Sequence, residues 1–195
     1  MKTNWIVPFF VLWASVLPAS EKGVNFQSAA LKSIDCQIQV PTKWSVYDQS
    51  NRDRSSWVIT PDDLNRGPYT TGVRIESLAK VESLTGAKAS EWVAARGHDK
   101  STSLPVISSE TGPTNDYFQV RRLVTEEVYS PGRTEYTTYR KIYTWYWSDK
   151  HDVVICIEAR TPGKSWKLMS PILERISKLE FDVPAWEKKL ATAKE

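Results

Sequence analysis

Proton transfer and zinc ligation at neutral pH lean first on histidine, and this 195-residue chain carries only two, His98 and His151. His98 is followed by Asp99, and His151 stands between Lys150 and Asp152. Residues adjacent in sequence do not converge on one point, so both histidines read as polar residues outside any catalytic cluster. The carboxylates are no better arranged. Asp62-Asp63 and Glu126-Glu127 are adjacent pairs, and on a strand such neighbours point to opposite faces and cannot share a proton. No Gly-rich phosphate loop, no Gly-x-Ser-x-Gly elbow and no His-Glu-x-x-His motif occurs. The chain therefore reads as a protein without catalytic residues, metal ligands or a cofactor site.

Two cysteines, Cys36 and Cys156, complete the reactive side chains. In an oxidising compartment they could close a disulfide, which would stabilise the fold by roughly 4 to 5 kcal/mol on the chain-entropy model. The alternative is two buried thiols behaving as small hydrophobes. Neither has a partner at redox or metal spacing.

The densest functional signal is aromatic. Between Thr134 and Trp147, alternation puts Tyr139, Tyr143, Trp145 and Trp147 on one face of a strand and Tyr136, Ile142 and Tyr146 on the other. If one face were left uncovered, the row of four would be a binding surface for a protein or a small apolar ligand; otherwise it is core. Arg121, Arg122, Arg140 and Lys141 interleave with these rings, as in a nucleic-acid stacking platform. From Tyr117 to Arg160, however, seven basic residues face six acidic ones, so cross-strand ion pairing is expected and nucleic acid is not. The whole chain, at +3 from 26 basic and 23 acidic residues, is equally balanced.

The elements that must hold these residues begin after a leader. Lys2, the apolar run Trp5–Leu17 and the small residues Ala19 and Ser20 form a secretory signal over residues 1–20, too short and too interrupted by Pro8 for a membrane span. The protein is thus expected in the periplasm or outside the cell, with no transmembrane segment in the mature chain. Residues 21–35 read as a linker, 36–182 as one domain and 183–195 as a Lys-rich tail. In the domain, Cys36–Val40 and the run through Trp44 and Tyr47 read as a first strand pair, followed by Trp57–Thr60 and Val73–Ala79. Helical spacing over Ala87–Arg96 stops at Gly97. A meander of Tyr117–Tyr129, Thr134–Trp147 and Asp152–Arg160 follows, then a helix with Ser170 as N-cap, Pro171 at its first position and an inward stripe of Ile172, Leu173, Ile176 and Leu179. This order is α+β: a long antiparallel sheet flanked by helices on both faces.

The segment Cys36–Phe181 resembles the PsbP-like domains, whose α/β/α sandwich is shared with Ran-binding Mog-type and DcrB-like proteins. The likeness rests on Val40-Pro41-Thr42-Lys43-Trp44, the helix at Ala89–Arg96, the meander from Phe118 to Arg160, and Pro171-Ile172-Leu173-Glu174-Arg175-Ile176 running into Leu179-Glu180-Phe181. It implies a non-enzymatic binding or assembly role in the cell envelope with a protein partner. The alternatives are a small-ligand-binding protein or small enzyme with a pocket between sheet and helix, and a structural envelope component.

Overall fold

The computed structural model describes residues 23–52, 54–103, 106–113, 118–129, 137–182, 184, 185 and 188; the leader, Tyr136 and most of the tail lie outside them. Seven antiparallel strands form the main sheet in the order β3-β4-β5-β9-β8-β7-β6. They are β3 Ser45–Asp48, β4 Ser55–Thr60, β5 Gly72–Ala79, β6 Val106–Pro113, β7 Gln119–Tyr129, β8 Thr137–Ser148 and β9 Val153–Pro162. A second sheet, β1-β2-β10, joins Phe26–Leu31, Cys36–Pro41 and Glu180–Phe181. Three helices complete the fold: α1 Val81–Thr85, α2 Ala89–Ser103 and α3 Trp166–Ile176.

Alternation along the strands divides the interior in two. Ile75 on β5, Ile142 and Tyr146 on β8, and Ile155 and Ile157 on β9 face α3 and the small sheet, where Ile38, Val40, Leu173 and Ile176 complete the larger core. On the opposite face Leu123, Tyr143, Trp145 and Val154 meet Val81 of α1 and Ala89 and Val93 of α2. Helices therefore cover both faces, as the doubly apolar middle strand requires: a sheet with large hydrophobes on each side must bury both.

Four expectations are corrected. Within the residues read as a linker, Phe26–Leu31 form β1, and its last residue Leu31 and the following Ile34 are buried in the larger core, so the domain starts before Cys36. β2 and β3 do not pair: the turn at Thr42–Trp44 carries the chain from the small sheet to the edge of the large one. Helix α2 continues through Gly97 to Ser103, since one interior glycine costs only about 1 kcal/mol. Helix α3 begins at Trp166 and holds Pro171 in its interior, because Trp166 and Met169 already pack on the core and reward an earlier start.

Candidate functional site

Strand β8 delivers the aromatic row, and α1 and α2 roof part of it. What fixes that roof is the β8–β9 turn. Asp152, held at φ 49° in the left-handed region that aspartate tolerates, accepts the Glu82 N–H through Oδ1 at 2.8 Å, while its carbonyl accepts from Val81 N–H at 3.3 Å. Asp149 accepts the Ser90 N–H at 2.7 Å and the Ser90 hydroxyl at 2.7 Å. Each carboxylate thus meets the otherwise unsatisfied N–H groups and positive end of a helix. Glu91, within α2 itself, accepts the Lys88 N–H at 3.1 Å, half of a capping box that sets the start of the helix.

Between this roof and the sheet lies a cavity of about 510 Å³. Its floor is Tyr143, Trp145, Val154 and Leu78, and Trp92 of α2 hangs over it. Around the apolar part stand Arg54, Arg96, Glu76, Glu158 and the Cys156 thiol. Apolar walls with a few charged groups at the edge are the usual make-up of a small-molecule site, and the volume is within the usual range of about 300 to 1,000 Å³.

The charges are organised in pairs. Glu76 meets Arg74 at 3.0 Å and Arg54 at 3.5 Å. Lys141 bridges Glu127 and Glu158, the latter at 3.2 Å, and Arg140 meets Glu126 at 3.6 Å, so the meander carries the expected cross-strand ion pairs. The Tyr143 hydroxyl donates to Glu127 at 2.8 Å and accepts from Lys141 at 3.3 Å. Burial, then the Glu158 charge and the bond to Glu127, push the Tyr143 phenol far above its ordinary 10.0, so it stays protonated. Arg96 lies over the Trp92 ring at 4.2 Å.

The four row residues therefore part company. Tyr143 and Trp145 are 3% and 1% exposed and form cavity floor, whereas Tyr139 and Trp147 are half-buried at either end. Tyr139 stands beyond the roof, with the Arg160 guanidinium 5.8 Å from its ring and 4.0 Å from that of Tyr69. The row is neither a continuous exposed patch nor wholly core.

Cys36 and Cys156 are not joined, and the pleat explains why. Cys36 is buried in the larger core with its Sγ donating to the Ile34 carbonyl at 3.0 Å. Cys156 packs against the smaller core on the other side of the sheet. His151 is half-buried in the turn between Asp149 and Asp152, and the side chain of His98 lies outside the described residues. Among the described residues the cavity carboxylates are accompanied by arginine and lysine, and no group of three metal-ligating side chains occurs. Sequence reasoning missed Trp92, Arg96, Arg54 and Glu76 as members of one site. The helical spacing of Trp92 and Arg96, one turn apart, was the available signal; the contributions of Arg54 and Glu76 come from long-range pairing.

No protein-family model and no curated protein matches the sequence. Solved structures of similar arrangement include cyanobacterial PsbP from Synechocystis, at 11% identity and a TM-score of 0.49 over 81% of this chain and 93% of that one. The Ran-binding protein Mog1p of Saccharomyces cerevisiae is similar at 10% identity and a TM-score of 0.49 over 80% and 95%. A protein from Bacteroides thetaiotaomicron is similar at 13% identity and a TM-score of 0.44, over 75% of this chain and 45% of that one. The first two belong to the groups the sequence resembles, and at this distance no site or partner passes from them to this chain.

Proposed function

We propose that this is an exported binding protein of the cell envelope whose binding site is the cavity between α2 and the sheet, and that it acts by holding a small molecule and not by catalysis. The cavity itself carries the reading. Its aromatic floor is fixed by core packing, its roof is tied down by the two carboxylates of Asp149 and Asp152, and its volume suits a compact ligand. The groups around it bind rather than react: the Tyr143 phenol keeps its proton, and the carboxylates Glu76 and Glu158 are already paired with cations. Export rests on the Lys2, Trp5–Leu17 and Ala19 pattern of the leader.

The test is recovery of a bound molecule. The tagged mature chain is isolated from its native envelope without denaturation, and small molecules released on unfolding are identified by mass spectrometry. A Cys156→Trp variant, which fills the cavity from β9, serves as control, with circular dichroism to establish that it folds. We expect a species present with the native chain and lost from the variant. Identical profiles would remove the cavity as the site.

A protein partner is the second reading, and one observation favours it. Tyr139, Tyr69 and Arg160 lie half-buried beyond the helical roof, on the uncovered end of the same sheet face. Substituting Tyr139 with Ala, leaving the cavity intact, would then abolish co-purification of that partner.

A further inference from the structure

We infer, building on the cavity as the binding site, that its ligand is a small amphipathic carboxylate: a compact aromatic or short acyl body on the Trp145 floor with its anionic end held by Arg96. The body follows from the walls. Trp145, Val154, Leu78 and Trp92 offer aromatic and aliphatic surface, with the Ser77 and Thr85 hydroxyls beside them, so they reward a largely apolar body that fits the cavity of about 510 Å³.

The sign of the charged end follows from how the surrounding groups are paired. Glu76 is shared by Arg74 and Arg54, and Lys141 bridges Glu127 and Glu158. These three carboxylates are thus engaged by three cations, and of the two arginines that line the cavity, Arg54 and Arg96, only Arg96 meets none of them. Its guanidinium carbon lies 4.2 Å from the centroid of the Trp92 ring, a cation–π contact that uses none of the guanidinium N–H donors in a hydrogen bond to a carboxylate. A guanidinium edge matches a carboxylate with two parallel hydrogen bonds. Because Asp149 of the β8–β9 turn anchors the N-terminus of α2 through Ser90, Arg96 is presented from a fixed helix, so little ordering is required when the ligand arrives. An amine in the same place would meet Arg54 and Arg96 and would have to displace existing cations from Glu76 or Glu158, at a cost an anion does not incur.

Three probes with one body separate the alternatives: phenylbutyrate, phenylbutanol and phenylbutylamine, titrated into the mature protein at equal ionic strength and followed by amide chemical shifts. Phenylbutyrate should bind tightest and phenylbutylamine weakest, with the largest shifts at Leu78, Trp92 and Cys156. Arg96→Gln should weaken phenylbutyrate by about five- to tenfold, the scale of one charge-assisted hydrogen bond near solvent, and leave phenylbutanol unchanged. Arg96→Lys should restore part of the loss. Equal binding of acid and alcohol, both indifferent to Arg96→Gln, would overturn the anionic class while leaving the cavity as a binding site. Tightest binding by the amine would also overturn it and assign the charge recognition to Glu76 and Glu158. Absence of shifts at those three residues with all probes at millimolar concentration would overturn this inference and the cavity reading together.

Discussion

Tyr143 shows most directly how single residues set this site. Its ring is floor, its hydroxyl joins the Glu127–Lys141–Glu158 network, and its phenol is pushed well above 10.0 by burial first and by the Glu158 charge next. A group that holds its proton more tightly folded than unfolded contributes stability that is intact below the unfolded value and is lost as pH rises past it. The native protein should therefore lose stability above about pH 10, the ordinary phenol value, more steeply than Tyr143→Phe does. At neutral pH the same substitution should cost about 1 kcal/mol, since Glu127 keeps Lys141 as a partner. Urea unfolding across that range measures both, and parallel alkaline slopes for the two proteins would remove Tyr143 as the source. The residue types here were readable early: alternation placed Tyr143 and Trp145 on one face and Ile142 and Tyr146 on the other, and both faces are buried. Whether Cys36 and Cys156 could meet was not readable, because it depends on which sheet takes β2.

At the scale of elements, the roof is secured by a turn distant in sequence. Asp149 and Asp152 cap α2 and α1 across separations of 59 and 70 residues, so the cavity depends on the β8–β9 hairpin as much as on the helices. Removing the Asp149 carboxylate with Asp149→Ala should cost about 1 kcal/mol and accelerate hydrogen exchange at the first turn of α2 while β9 stays protected. Uniform loss of protection over the whole sheet would contradict this local role. Gly72 constrains the pairing of β5 with β4. A Cβ there would stand 2.6 Å from the Ile59 carbonyl oxygen and 3.0 Å from the Thr60 Cβ, both in the neighbouring strand. Gly72→Ala should thus destabilise the fold by about 1 to 3 kcal/mol in thermal or urea unfolding, and a neutral result would show that β4 can yield.

The same scale shows where sequence signals end. The long meander was legible because β7, β8 and β9 are consecutive, and their register needs only local hairpins. Helix α1 was not: five residues carry too short a period, and its start depends on Asp152, which is remote in sequence. The small sheet was missed for a similar reason. β1 alternates weakly, and β10 is two residues long and is defined only by its pairing with Cys36 and Gln37. Proline at position 171 marked a plausible first turn, yet burial of Trp166 and Met169 outweighed the one backbone hydrogen bond it removes.

For the molecule as a whole, the two faces of one sheet are used differently. The face toward α3 and the small sheet is filled by the larger core, whereas the opposite face is roofed by α1 and α2 over the Tyr143–Trp145 end and left to the ion pairs of Lys141, Glu158 and Arg74 beyond it. No helix among the described residues is long and apolar enough to cross a membrane. Of the aromatic row, Tyr143 and Trp145 form cavity floor under the edge of the roof, and Tyr139 and Trp147 stand half-buried at either end. The most direct test of that account is an amide chemical-shift map of the protein titrated with a diverse fragment set, compared with Cys156→Trp. Binding fragments should converge on Leu78, Trp92, Arg96, Val154 and Cys156, and should lose affinity in the filled variant. Shifts scattered over the surface, or convergence that survives Cys156→Trp unchanged, would contradict the cavity as the site at which this protein binds.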